Sequence, residues 1–89
     1  MGTMIIKLKV MLESPETNVE EIQKKVSQKM DSQEVNSPRF EVQPIAFGLK
    51  ALMVLFEWPE EKELEEFQKS LENIEGVRSI EVVDMRRAL

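Results

Sequence analysis

Residues Ala51 to Trp58 read Ala-Leu-Met-Val-Leu-Phe-Glu-Trp, a nearly continuous apolar run. Such a run suits a strand with other strands on both sides and cover on its faces. It therefore requires a sheet, and the rest of the chain has to supply one. Met4 to Leu12 meets that need. Met4, Ile6, Leu8, Val10 and Leu12 alternate with Lys7 and Lys9, the period of two of a half-buried strand. Phe40 and Val42 alternate with Arg39, Glu41 and Gln43, which predicts a second strand, at an edge. Val77 to Met85 predicts the last strand, with Ile80 and Val82 inward and Arg86-Arg87-Ala88-Leu89 as a short basic tail.

Two helical stripes lie between these strands. Val19, Ile22, Val26 and Met30 recur at steps of three or four and share one helical face. Thr17-Asn18-Val19-Glu20 has the spacing of a capping box at the start of that helix. Glu20/Lys24 and Glu21/Lys25 are i,i+4 pairs on its wet face, each worth about 0.2–0.5 kcal/mol. Asp31 to Pro38, rich in Ser, Asn, Asp and Gln, predicts a loop or a frayed strand start. Leu64, Phe67, Leu71 and Ile74 form the second stripe. Pro59 fits the first turn of that helix, Glu60 and Glu61 favour its positive end, and Gly76 fits its C-terminal cap.

The order strand, helix, strand, strand, helix, strand predicts an α+β, ferredoxin-like βαββαβ sandwich. Its four-stranded antiparallel sheet carries both helices on one face. The first and third strands, the most apolar, take the centre. The open face is expected to carry Ile5, Lys7, Lys9, Met11, Met53, Leu55, Glu57, Glu81 and Val83. It is read either as solvated or as a contact surface through Met53 and Leu55.

The 89 residues fit a single domain, 1–89, and 42% hydrophobic residues suffice for one core. No apolar run approaches the roughly 20 residues that span a bilayer. No secretory signal stands at the N-terminus, and Ile6 occupies the place where a myristoylation signal needs Ser or Thr. The absence of cysteine fits a reducing compartment, so a cytoplasmic protein is expected. Seventeen acidic and twelve basic residues leave a net charge of −5, the wrong sign for general attraction to nucleic acid. Without histidine or cysteine there is no imidazole or thiolate to ligate a metal, and no histidine to serve as acid or base. Three glycines do not build a phosphate-cradling loop. These residues point to a binding domain with no catalytic residues, metal or cofactor.

Two segments fall outside core patterning. Pro44 to Lys50 places Ile45 and Phe47 in a connection between strands, with Gly48 directly after the ring. Phe47 is either a loop aromatic folded back over the core or an exposed anchor for a partner. Arg86-Arg87 is either a solvated basic end or a flexible cation that reaches a carboxylate, phosphate or metal position on a partner.

Pro44-Ile45-Ala46-Phe47-Gly48-Leu49-Lys50-Ala51-Leu52 resembles the P-I-[AG]-[FY]-G-[ILV]-K-x-L segment of the elongation factor 1-beta family. Ile80-Glu81-Val82-Val83-Asp84-Met85-Arg86-Arg87 resembles the V-x-V-x-D-V-R-R close of its archaeal members. Lys9 to Pro15 resembles their K-V-M-P-E-S-P, with Leu12 where proline is usual. The resemblance implies a ferredoxin-like guanine nucleotide exchange domain in its minimal archaeal form. It implies exchange of GDP for GTP on the GTPase elongation factor 1-alpha during polypeptide elongation. The loop aromatic that contacts the GTPase in the relatives carries over to Phe47. Their lysine beside the C-terminus, which enters the magnesium and phosphate region, has no matching lysine here; Arg86 or Arg87 stands in its place. The expected contact set is Ile45, Phe47, Lys50, Arg86 and Arg87, on a protein that is monomeric when free and binds neither nucleic acid nor membrane.

Other classes share this architecture. A small-ligand regulatory module is the alternative, expected to dimerise and to bind at the interface. An acylphosphatase-like hydrolase needs an arginine-bearing loop after the first strand, where Leu12-Glu13-Ser14-Pro15-Glu16 is acidic. RNA binding needs paired exposed aromatics on the central strands, which are missing from the pattern.

Overall fold

The computed structural model describes residues 2–35 and 38–88. Asn36 and Ser37 of the expected loop and Leu89 of the expected tail lie outside the described residues. The elements run β1 (Thr3–Leu12), α1 (Val19–Ser32), β2 (Arg39–Pro44), β3 (Lys50–Pro59), α2 (Glu65–Glu72) and β4 (Val77–Ala88). The strands form one antiparallel sheet in the order β2-β3-β1-β4. This is the predicted ferredoxin-like arrangement, with the two most apolar strands at its centre.

The alternation in β1 decides which face is buried. Ile6, Leu8, Val10 and Leu12 meet Leu52, Val54, Phe56 and Trp58 of β3 beneath the helices. Helix α1 adds Ile22, Val26 and Met30, and α2 adds Phe67 and Leu71. Among the described residues, no polar or charged residue is buried in this core. Trp58 stacks on Phe67 at 4.9 Å between ring centroids and meets Phe56 edge-on at 5.9 Å. Its indole N–H donates to the Lys62 carbonyl at 2.9 Å, which satisfies the single polar atom of the ring. No helix among the described residues is long and apolar enough to cross a membrane.

The helix ends differ from expectation. Asn18, not Thr17, caps α1: its side-chain oxygen accepts from the Glu21 N–H at 3.2 Å. Thr17 is engaged elsewhere, its hydroxyl accepting from the Ser14 N–H at 3.2 Å. Helix α1 also runs through Asp31 and Ser32, which the polar composition suggested were loop. It closes in a Schellman motif: Val35 N–H donates to Met30 O at 3.0 Å and Glu34 N–H to Asp31 O at 3.0 Å. Glu34 takes the left-handed position with φ 61°. Buried Val35 and Met30 supply the apolar contact that goes with this motif.

Pro59 ends β3 instead of opening α2, and Glu60 and Glu61 lie in the intervening turn. The carboxylates of the first helical turn are Glu65 and Glu66. Asn73 caps the C-terminus of α2, and Gly76 follows three residues later in the connection to β4. Neither Glu20/Lys24 nor Glu21/Lys25 closes into an ion pair; the helical pair that forms among the described residues is Glu65–Lys69, at 3.6 Å.

The last strand departs most from the pattern. It continues to Ala88, hydrogen-bonded to β1, so the arginines belong to the sheet and not to a flexible tail. Lys7 pairs with Asp84 and Leu8 with Val82, which leaves Val83 as the extra residue of a bulge. Val83 therefore has no partner on β1, and Asp84 and Arg86 take places opposite Lys7 and Ile5.

Candidate functional site

The β2–β3 hairpin is closed by Pro44 opposite Lys50 and by a 2.7 Å hydrogen bond from Ile45 N–H to Leu49 O. Within it, Ala46 to Leu49 form a tight turn whose Leu49 N–H donates to Ala46 O at 3.4 Å. Its two central residues are both left-handed: Phe47 has φ 63° and ψ 29°, and Gly48 has φ 75°. Two consecutive positive φ angles are the mark of a type I′ hairpin turn, where Asn-Gly is the favoured pair. Glycine meets that demand at Gly48. Phe47 meets it at a cost, because an aromatic L-residue rarely occupies this region.

The ring gains no burial in return, since Phe47 is 95% exposed. A large apolar side chain held out in water on strained backbone is not core packing. The ring therefore does not fold back over the core, one of the two placements the sequence left open. Ile45 is half-buried at the root of the same turn, and Lys50 is exposed where β3 begins. One hairpin thus brings together Ile45, Phe47 and Lys50.

The arginines lie elsewhere. Arg86 pairs with Ile5 and Arg87 with Met4, at the start of β1, whereas the hairpin adjoins Met11 near its end. Six residues of strand separate those rows, about 20 Å at 3.3 Å per residue. Being consecutive in a strand, the two side chains emerge on opposite faces. Arg86 lies on the open face, its Nε 2.8 Å from Asp84 Oδ2. Arg87 lies on the helix side and pairs with the carboxylate of Glu60, and the Glu60 backbone N–H donates to Gly2 O at 2.9 Å. Glu60 carries no sequence signal as a partner for Arg87; only the antiparallel order β3-β1-β4 brings the end of β3 to the end of β4.

A second neighbour of the hairpin also escapes the sequence pattern. A β-carbon placed on Gly48 would stand 3.8 Å from Cβ of Pro15, so the β1–α1 turn lies against the hairpin. The open face holds a shallow groove bordered by Ile5, Lys7, Arg39, Leu55, Asp84 and Arg86, with Met53 at 8% exposure.

Comparison with known proteins identifies the family and the fold. The EF-1 guanine nucleotide exchange domain matches residues 5–88. Elongation factor 1-beta of Methanococcus aeolicus is 40% identical over 87 residues, covering 96% of this chain and 97% of that protein. Elongation factor 1-beta of Methanothermobacter thermautotrophicus is 37% identical over 91 residues, covering all of both chains. Among solved structures, the C-terminal domain of the MgtC protein from Mycobacterium tuberculosis superposes with a TM-score of 0.69 at 14% identity, covering 98% of this chain and 89% of that one. The designed protein Foldit4 superposes at 0.60 and 13% identity, covering 98% and 97%. At such identities the structural likeness shows the fold alone. The full-length sequence match shows more: the chain belongs to the EF-1 guanine nucleotide exchange domain family.

Proposed function

We propose that this chain promotes GDP-for-GTP exchange on translation elongation factor 1-alpha, as one unit over residues 1–89. It acts by protein contact and breaks no bond. The observation that carries the reading is Phe47, 95% exposed at the tip of a strained hairpin. In the elongation factor 1-beta family the aromatic of this segment is a contact with the GTPase. A rigid ring entering a desolvated pocket contributes about 2 kcal/mol or more at an interface.

The mechanism is a coupling of two binding equilibria. A factor that binds best to the nucleotide-free GTPase weakens nucleotide binding by the same factor that nucleotide weakens its own. The hairpin and the arginine end lie about 20 Å apart along the sheet. Contacts at both ends would therefore fall on separate parts of the partner. One end holds by apolar burial; the other offers guanidinium groups suited to carboxylate or phosphate oxygens. The protein works in the cytoplasm as a monomer when free, without binding nucleic acid or membrane.

The test is release of a fluorescent GDP analogue from the cognate GTPase. Wild-type protein is expected to accelerate release in a concentration-dependent way, and no acceleration at any concentration overturns the function. Phe47→Ala should lower the second-order rate constant about 30-fold, the equivalent of about 2 kcal/mol, with an unchanged circular dichroism spectrum.

A further inference from the structure

Trp58 of β3, Met4 of β1 and Arg87 of β4 form one row across the sheet, on the face that carries the helices. Glu60 comes two residues after Trp58 and continues the pairing of β3 with β1 by one step, its N–H donating to Gly2 O at 2.9 Å. Its carboxylate accepts from Nη2 of Arg87. Strand β1 runs between β3 and β4, so the backbones of those two strands stand about 10 Å apart, two inter-strand spacings. The Glu60 side chain has to pass over β1 to make this pair.

Gly2 supplies the passage. A β-carbon built on Gly2 would collide with Oε2 of Glu60, the far end of a flexible side chain. An alanine there would therefore push the carboxylate aside and leave the backbone in place. The pairing occupies one nitrogen of a group with five N–H donors, and the Arg87 side chain is 65% exposed. It fixes the guanidinium without using up its donors. Exposed ion pairs add little to folding stability. Holding a long, flexible cation in advance does lower the ordering cost that it pays on binding. Arg86, by contrast, pairs with Asp84 two residues away on its own strand.

We propose that Glu60 is a positioning residue: it crosses β1 at Gly2 and holds the Arg87 guanidinium ready for the GTPase. The proposal rests on the exchange function proposed above and assigns the contact at the arginine end to Arg87. Glu60 acts through Arg87, so removing it matters only while the arginine is present.

The experiment measures stimulated GDP release against protein concentration for wild type, Arg87→Ala, Glu60→Gln, Gly2→Ala and the double variants Glu60→Gln/Arg87→Ala and Gly2→Ala/Arg87→Ala. Phe47→Ala is run beside them, and Glu65→Gln, from the exposed Glu65–Lys69 pair, is the control. Glu60→Gln and Gly2→Ala should each lower the second-order rate constant roughly three- to tenfold. Neither should lower it further when Arg87 is already alanine, whereas a merely structural role would cost the same in both backgrounds. Gly2→Ala keeps every charge, so its loss does not follow from net charge. Its unfolding midpoint, read from Trp58 fluorescence, should match wild type, and Glu65→Gln should exchange normally. Wild-type rates for Arg87→Ala, or for both Glu60→Gln and Gly2→Ala, overturn the proposal. So does a loss that persists without Arg87, or a faster release by Glu60→Gln, which would make the pair a restraint. In each of these cases a slow Phe47→Ala leaves the exchange function standing. Failure of wild type to accelerate release overturns that function and the positioning role together.

Discussion

Arg86 and Arg87 are adjacent in sequence and lie on opposite faces of the sheet, Arg86 paired with Asp84 and Arg87 with Glu60. A partner that approaches one face meets one guanidinium. Arg86→Ala and Arg87→Ala should therefore affect nucleotide exchange unequally, with one variant near wild type and the other clearly slower. Both ion pairs are substantially exposed, so neither substitution should move the unfolding free energy by more than about 1 kcal/mol. Equal losses in the release assay would show that the face on which each arginine lies is irrelevant.

Glu34 occupies the left-handed position of the Schellman motif that ends α1, with φ 61°. Glycine is the usual residue there because it has no β-carbon to crowd the carbonyl. Glu34→Gly should stabilise the domain by about 0.5–1 kcal/mol, read as a higher denaturant midpoint with an unchanged slope. A lower midpoint would mean that the Glu34 side chain contributes more than its backbone conformation costs.

Gly76 presents the opposite case. Its φ is +97°, and a β-carbon there would come within 2.9 Å of Ile22 Cδ1 and 3.1 Å of Thr17 Cγ2. Strained backbone and crowding act together against the junction of α1 with the α2–β4 connection. Gly76→Ala should destabilise the domain by about 1–3 kcal/mol. Trp58 is the only tryptophan and is buried in the core, so its fluorescence reports the transition directly. An unchanged midpoint would show that Ile22 repacks without penalty.

The fold was legible because the two central strands and both helices bury clear apolar patterns. Met4–Leu12 and Ile22–Val26–Met30 are unambiguous, and only one simple topology accommodates their order. Features set by a single residue were harder to see. An S/T-x-x-E spacing pointed to Thr17 as the cap, but Thr17 braces the preceding turn and Asn18 caps the helix. Counting by two placed Val83 on the open face; the bulge there shifts the alternation and assigns Arg86 to that face and Arg87 to the other. Nothing in local composition marks a bulge, because the register is fixed by pairing along the whole of β1. Phe47 was visible as a residue out of pattern. Its backbone conformation and its exposure were not.

That conformation supplies the sharpest test. In the turn Ala46–Leu49, Phe47 holds the first of two central left-handed positions, the place where asparagine is preferred before glycine. Phe47→Asn should leave the hairpin geometry intact and relieve the strain, because asparagine enters this region readily and a 95% exposed ring has little packing to lose. The variant should be more stable than wild type by about 0.5–1 kcal/mol in denaturant unfolding. It should also lose stimulated GDP release as severely as Phe47→Ala. Stability that rises while exchange falls separates a residue kept for contact from one kept for folding. A Phe47→Asn variant that unfolds more easily than wild type would place the ring in the folding energetics after all, and its loss of exchange would then no longer identify a contact.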